Sequence, residues 1–278
     1  FSGFIIAWTY WVACVSAIAG ISIAFVGYLG FFLPQIANSQ ISALLASLLL
    51  IWIIVFLNIR SLENSSKFQL ISTLLKLLPL IFIILLGASN FNVNNLPELN
   101  PSNLHPISLI ATVTTLVMWS FIGIETATVP ADNVINPQET IPKVLIASVT
   151  TILILYILVS VAIAVLVPAS ELLISSAPFA LAASKIFGVT GGTIISMGAL
   201  ISTLGSLNAN TLTAGNLSLA AARDGLLPSK FVILSKNGTP IFTYLLTGAF
   251  VSILLILNYT KGIINAFVFM AMLSTLST

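Results

Sequence analysis

The stretch ISALLASLLLIWIIVFLNIR, residues 41–60, ends at Arg60, which is the first charged side chain in the sequence. No Asp, Glu, Lys or Arg occurs in residues 1–59. A helix needs about 20 mostly apolar residues to cross the hydrocarbon core of a bilayer, and residues 41–60 provide that length. This stretch therefore predicts a membrane-spanning helix.

The rest of the chain has the same character. Of its 278 residues, 6% are charged and 58% are hydrophobic, whereas an average soluble domain carries about 25% charged residues. Because lipid offers the backbone no hydrogen bonds, apolar segments of this length must be helical. We therefore expect an all-α polytopic membrane protein with eight apolar segments. They run roughly over 3–33, 41–59, 69–88, 107–126, 144–167, 190–222, 240–258 and 262–278.

Composition argues against several classes of protein. The net charge of +2 is too small to predict a nucleic-acid partner. One cysteine, Cys14, and one histidine, His105, provide no cluster for a metal, and the sequence has no phosphate-binding loop, so we expect neither a metal nor a cofactor. Glu125 is the one acidic residue inside a predicted span. An intramembrane enzyme would need paired catalytic groups, so we do not expect an enzyme.

The basic residues predict the orientation of the segments. Lys185 and Lys261 fall on one side, and six other basic residues fall on the opposite side, which the positive-inside rule makes cytoplasmic. The first segment then runs outward from the cytoplasm. The chain begins without Met and ends inside an apolar run, so we expect it to be truncated at both ends. The six cytoplasmic residues are Arg60, Lys67, Lys143, Arg223, Lys230 and Lys236.

The run MWSFIGIETATVP, residues 118–130, predicts a discontinuous helix. Gly123 and Pro130 weaken a helix, and Ser120 can bond the backbone groups that a break leaves unpaired. Transporters use broken helices at the midplane of the membrane to hold ions and zwitterionic substrates. The alternative is a kinked packing helix with small residues at its interface.

Two charged residues lie within predicted spans. Glu125 would exchange protons or help to hold a substrate cation, or else it is a structural partner near the helix end. Lys76, in STLLKLLPL, would replace a bound sodium ion with a fixed charge, or else it reaches a lipid headgroup. A position near the middle of its segment favours the first of these readings for Lys76.

Hydroxyl and amide side chains are dense in the sixth segment, which predicts a water-filled face or, alternatively, helix contacts through hydrogen bonds. Two aromatic residues with a polar atom, Trp119 and Tyr10, are candidates to lie against a substrate, although such residues also pack or sit in interfacial belts. The polar residues of the sixth segment are Ser202, Thr203, Ser206, Asn208, Asn210, Thr211 and Thr213.

These motifs resemble one family of transporters. WSFIGIETATVPADNVINPQETIP, residues 119–142, is similar to the sixth helix and following loop of the amino acid–polyamine–organocation (APC) superfamily. The resemblance is closest to the basic amino acid/polyamine antiporters, arginine–agmatine antiporters among them, and it covers essentially the whole chain. Further stretches agree in order: AWTYWVAC (7–14), LLKLLPL (74–80), GNLSLAAARDGLLP (215–228) and NGTP (237–240).

The resemblance implies the inverted-repeat (LeuT-type) amino acid transporter fold, of which this chain would be a fragment covering about helices 3–10 of 12. Residues 1–278 would then form a single, truncated transmembrane transporter domain. Residues 1–88 would be the end of the first repeat, helices 3–5, and residues 107–278 the second repeat, helices 6–10. The first and sixth segments would be equivalent helices. They are the two longest, and they run in opposite directions, as inversion requires.

The resemblance also implies a substrate site beside the broken helix. The backbone of Trp119 to Gly123, with Ser120 and Ile122 between them, would receive the substrate's amino group, and Trp119 would cover its side chain. Glu125 would take part in proton-linked gating. Lys76 would stand in for a sodium ion, next to a sodium-site-like region. That region is formed by Ser202, Thr203 and Ser206.

This sequence departs from the arginine–agmatine antiporters at several positions. Ile18 stands where they have a substrate-facing asparagine, Asn210 stands where they have a tryptophan, and Lys76 is not one of their features. The substrate therefore stays open between arginine, a neutral amino acid and another amine.

These observations predict a sodium-independent transporter of amino acids or polyamines in the inner membrane of a bacterial cell, working as an exchanger or a proton-coupled permease by alternating access. Its partners would be a small-molecule substrate, the lipid bilayer and a second copy in a homodimer. The alternatives are a channel or membrane nutrient sensor and an inactive transporter remnant, each with the same fold. Because the first two helices of the fold are missing, we expect this piece alone not to transport.

Overall fold

A computed structural model describes residues 2–60, 65–96, 100, 105–124, 136–235, 238–259 and 262–278, with the backbone alone at 37, 65–76, 94 and 258. These residues form ten α-helices joined by turns and short 3₁₀ segments, and the described ranges contain no strand. The helices are α1 (Ser2–Leu29), α2 (Pro34–Ala37), α3 (Gln40–Arg60), α4 (Ser65–Ser89), α5 (Pro106–Met118), α6 (Pro137–Leu166), α7 (Ala169–Leu172), α8 (Pro178–Arg223), α9 (Ile241–Asn258) and α10 (Ile263–Leu276).

The described helices include four that are long and apolar enough to cross a membrane, namely α1, α3, α6 and α8. The shorter apolar helices are Leu77–Ser89, Pro106–Phe121, Ile241–Leu257 and Ile263–Leu276. An all-α polytopic architecture is thus confirmed.

The chain forms two compact units, which are described separately. One comprises Phe1–Pro79 and Ile174–Thr278, and the other comprises Leu80–Leu173. The two predicted repeats, 1–88 and 107–278, are related by symmetry, whereas these units are defined by compactness. The division into units therefore does not test the repeats.

Helix α1 lies at the centre of the first unit. It is buried almost continuously from Trp11 to Tyr28 and packs most extensively against α8 and α10. Small residues permit this closeness, because lipid-embedded helices associate through tight van der Waals contact and interhelical hydrogen bonds. At one such contact the hydroxyl of Ser274 donates to the carbonyl of Ala13 at 2.9 Å.

Exposed apolar side chains follow one face of α3. Ile41, Leu45, Leu49 and Ile53 recur at intervals of four residues and are all exposed, while Leu50 and Ile54 on the opposite side are buried. Residues four apart share a helix face. This stripe is therefore suited to contact acyl chains.

Helices α6 and α8 begin earlier than the apolar segments predicted. Both start with proline, Pro137 and Pro178, which is favourable at a first helical position because its missing N–H has no intrahelical partner there. In the first turns of α6, Lys143 Nζ lies 3.5 Å from Glu139 Oε2. Charge marks these turns as lying outside the hydrocarbon, which is why the apolar run alone did not reveal them.

Helix α8 is interrupted at Gly188, which the sequence analysis did not predict. Its φ of 60° and ψ of −151° are accessible to glycine and strained for other residues. The chain folds back here, since the carbonyl oxygen of Ala183 lies 2.6 Å from where a Cβ on Gly191 would be. At its other end α8 stops as predicted, with Gly225 at φ 73° and the Leu226 amide donating to the Ala221 carbonyl at 2.9 Å.

In the second unit, α4 and α6 approach closely where both present small residues. A Cβ on Gly87 would lie 2.5 Å from Cβ of Ala162, so glycine is required for this contact. Nearby, Asn95 Nδ2 donates to the carbonyl of Val165 at 2.8 Å. These contacts tie the end of α4 and the following turn to the end of α6.

Candidate functional site

The first half of the predicted discontinuous helix ends within the second unit, and residues 125–135, where the helix would resume, lie outside the described residues. Helix α5 ends at Met118, and Trp119–Phe121 form a single 3₁₀ turn. Ile122 is then extended, with φ −66° and ψ 136°, and its amide donates to the Trp119 carbonyl at 3.3 Å. The regular helical ladder therefore stops before Ser120, inside the apolar segment 107–126.

Glycine is required at position 123 because of its backbone conformation, and not because a side chain would lack space. Its φ is 102°, which other residues rarely adopt, yet a Cβ there would meet no atom within 4 Å. A side chain at this position would strain the backbone without a clash.

Tyr156 on α6 contacts the broken segment. Its hydroxyl donates to the carbonyl of Ser120 at 3.2 Å, and its ring meets the ring of Phe121 edge to face, with centroids 5.5 Å apart. Tyr156 was not predicted as a site residue, because a single tyrosine within an apolar run carries no local signal of what it faces.

Two of the predicted site residues lie wholly or partly outside the part of the chain that the structure describes. Glu125, with Thr126, Thr128 and Pro130, lies outside the described residues. The backbone of Lys76 belongs to α4, but its side chain is not among those described.

In the first unit, polar side chains line one face of α8. Thr203, Ser206 and Asn210 are spaced by three and four residues and are half-buried, as is Ser202. Thr203 Oγ1 donates to the carbonyl of Ala199 at 2.8 Å, and Asn210 Nδ2 donates to the carbonyl of Ser206 at 2.9 Å. The Thr203 donor is thus used within the helix, whereas the Asn210 amide keeps a second N–H, so this face presents oxygen acceptors together with an amide donor.

Helix α4 crosses α8 next to this face. A Cβ on Gly198 would lie 2.6 Å from Cγ of Pro79, so the two backbones are close at that point. Lys76 is one turn before Pro79 on α4, and Ser202 is one turn after Gly198 on α8. The predicted topology makes these helices antiparallel, so we expect the backbones of Lys76 and Ser202 to lie on the same side of this contact.

Tyr10 on α1 is half-buried and packs against the hydrophobic core of the first unit. Trp119, Ser120, Ile122 and Gly123 belong to the second unit. The structure thus groups the predicted site residues into two sets, one in each unit.

The described residues offer no metal site. No group of three or more His, Cys, Asp or Glu within them could hold an ion, and Cys14 is a buried free thiol.

Discontinuous helices at membrane depth occur in many secondary transporters. The family model described as "Amino acid permease" matches residues 1–278, and this chain belongs to the amino acid permease family. The predicted resemblance to the APC superfamily is confirmed, and the protein is a multi-pass protein of the cell (inner) membrane. Proteins of this family are transporters rather than enzymes.

Curated relatives match over most of this chain. An arginine/ornithine antiporter of Pseudomonas aeruginosa is 25% identical over 269 residues, which cover 94% of this chain and 56% of the relative. An arginine/agmatine antiporter of Chlamydia trachomatis is 27% identical over 271 residues, covering 92% and 55%. A Clostridium perfringens protein, described only provisionally as an amino-acid transporter, is 28% identical over 276 residues, covering 94% and 57%. The chain thus spans about half the length of these relatives.

Proposed function

We propose that the complete protein carries amino acids or polyamines across the cell membrane by sodium-independent secondary transport. It works as an exchanger or a proton-coupled permease, and it alternates between states open to either side. The observation that carries this proposal is the break after Met118, where an apolar helix gives way to a 3₁₀ turn and an extended residue. Backbone carbonyls at such a break supply acceptors for an ammonium group.

The polar face of α8 supports a ligand rich in hydrogen-bond donors. The hydroxyl proton of Thr203 and one amide proton of Asn210 are bonded to carbonyls of their own helix. Their oxygens are therefore suited to accept hydrogen bonds from an amine or from ordered water. No acidic residue belongs to the described part of this face. A zwitterionic amino acid fits this neutral lining as well as a polyamine does.

Sodium independence is supported by the position of Lys76. Its backbone lies near the crossing of α4 and α8 at Pro79 and Gly198, close to Ser202 and Thr203 along α8. An ammonium at this depth would supply the positive charge that a sodium ion supplies elsewhere. The substrate-binding roles of Trp119, Ser120, Ile122, Gly123, Tyr10 and Asn210 belong to the same proposal.

Antiport is supported by the relatives, two of which are named as antiporters of arginine with ornithine or agmatine. Ile18 and Asn210 differ from the residues expected in arginine–agmatine antiporters. The substrate screen therefore includes neutral amino acids as well as amines.

The test is uptake by the complete protein in proteoliposomes. Vesicles preloaded with arginine, ornithine, agmatine or leucine are supplied with each radiolabelled compound, in sodium and in choline buffer. Exchange of at least one compound, equal in both buffers, is the expected result. Binding without uptake would indicate a sensor, and neither binding nor uptake would indicate an inactive remnant.

A further inference from the structure

We infer that Tyr156 is a positioning residue of the substrate site. Its hydroxyl fixes the direction of the Ser120 carbonyl, so that this carbonyl can accept a hydrogen bond from the substrate's amino group. The inference rests on the proposed function, and it adds a residue of α6 to the substrate-binding residues that the sequence predicted.

The geometry defines what Tyr156 holds. Its hydroxyl lies 3.2 Å from the Ser120 carbonyl oxygen, beyond the end of α5 at Met118. In a regular helix, successive carbonyls are aligned by bonds to amides four residues later. The α-helical ladder ends before Ser120, so a side chain from the neighbouring helix provides an alignment for this carbonyl.

The ring of Tyr156 fixes the position of its own hydroxyl. It meets Phe121 edge to face at 5.5 Å and 76°, an arrangement favoured for aromatic pairs. Tyr156 therefore contacts two successive residues of the 3₁₀ turn, the backbone of Ser120 and the side chain of Phe121. A rigid phenol loses little conformational entropy in doing so.

A tyrosine bond is compatible with substrate binding at the same carbonyl. A carbonyl oxygen has two lone pairs, so Tyr156 takes one and leaves the other for an ammonium. The tyrosine thus directs the carbonyl toward the second donor without blocking it.

The test compares Tyr156→Phe with Asn95→Leu in the complete detergent-solubilised protein. The phenylalanine keeps the ring contact and removes the hydroxyl. Asn95 is a matched control, because its side chain also donates to a backbone carbonyl in the same unit, that of Val165 at 2.8 Å, away from the break. Dissociation constants are measured by calorimetry with arginine, ornithine, agmatine and leucine.

Loss of one neutral hydrogen bond should raise the dissociation constant of the bound probe about 2- to 10-fold in Tyr156→Phe. Asn95→Leu should lower the melting temperature while leaving this constant unchanged. Amide hydrogen exchange of residues 119–124 in the empty protein should be faster in Tyr156→Phe than in wild type, and unchanged in Asn95→Leu.

The outcomes are distinguishable. An unchanged dissociation constant in Tyr156→Phe, with the wild type binding a probe, overturns the inference. So does an equal loss of affinity in Asn95→Leu, which would indicate general destabilisation. If no probe binds the wild type, the proposed function fails, and the substrate part of the inference fails with it. In that case, unchanged amide hydrogen exchange of residues 119–124 in Tyr156→Phe would also overturn the claim that Tyr156 fixes this segment.

Discussion

Asn58 Nδ2 lies 2.9 Å from Asn208 Oδ1, so the amide of a side chain on α3 is bonded to one on α8 within the first unit. The same Nδ2 atom donates to the carbonyl of Ile54 at 2.8 Å. Asn58 is almost completely buried. Both protons of one amide are thus used, one to fix its rotamer and one to join two helices.

Replacing Asn58 by Leu should destabilise the protein by about 1–3 kcal/mol, because Asn208 Oδ1 loses its donor inside the helix bundle. Asn208→Leu should have a similar effect, and the double variant should cost less than the sum. The check is a double-mutant cycle on unfolding in detergent. Strict additivity of the two losses would show that the bond contributes no coupling energy.

Gly215 should not tolerate a methyl group. A Cβ there would lie 2.3 Å from Cε1 of Tyr244, whose side chain is fully buried. Gly215→Ala should therefore lose about 1–3 kcal/mol through overpacking, measured by thermal unfolding. Gly3→Ala is the control, since its Cβ would meet Leu226 at an ordinary 3.6 Å. Equal melting temperatures for both variants would contradict the close packing of α8 on α9.

Much of the fold follows from hydropathy, because in lipid the length of an apolar run nearly determines a helix. The runs at 41–59 and 240–258 match α3 and α9 within about two residues. What hydropathy could not show lies outside the hydrocarbon. The first turns of α6 and the part of α8 before Gly188 are helical. They contain charged or small residues, so they do not extend the apolar runs from which the helices were predicted.

The candidate site was predictable where the backbone itself carries the signal. The glycine in MWSFIG predicts that the helix is interrupted, and α5 ends at Met118. Partners that come from far along the chain were not predictable. Tyr156 reaches Ser120 across 36 residues, and Asn58 reaches Asn208 across 150. Single polar residues in apolar helices do not reveal which of several neighbours they face.

Gly123 and Gly188 allow the cost of strain to be separated from an effect on binding. Both have positive φ, 102° and 60°, and a Cβ on either would meet nothing within 4 Å. Alanine at each position should cost about 1–2 kcal/mol in stability. In Gly123→Ala the break must also shift, so substrate affinity should fall, whereas Gly188→Ala should retain it. Calorimetric titration of both variants is the measurement, and equal affinities would argue against a substrate role for the break.

Glu125→Gln should flatten the dependence of exchange on pH if Glu125 carries the proton in gating, because the amide cannot ionise. The measurement is the initial rate of exchange in proteoliposomes at acidic and at mildly alkaline pH. Glu171→Gln is the control, since Glu171 is on the short helix α7 and is not one of the proposed site residues. A variant at Glu125 that keeps the wild-type ratio of the two rates would remove it from the proton pathway.

Lys76→Met should reveal whether a fixed charge replaces sodium. The substitution keeps the length of the side chain and removes its charge, so exchange in sodium-free buffer should fall at least about tenfold, as expected when an important ionic contact is lost. Part of that loss should be regained in sodium buffer, because the oxygens of Ser202 and Thr203 on α8 remain as cation ligands. Lys230→Ala, at an exposed turn after α8, should behave like wild type in both buffers. A wild-type protein that itself needs sodium would contradict the role of Lys76, since the ammonium and the ion would then not be alternatives.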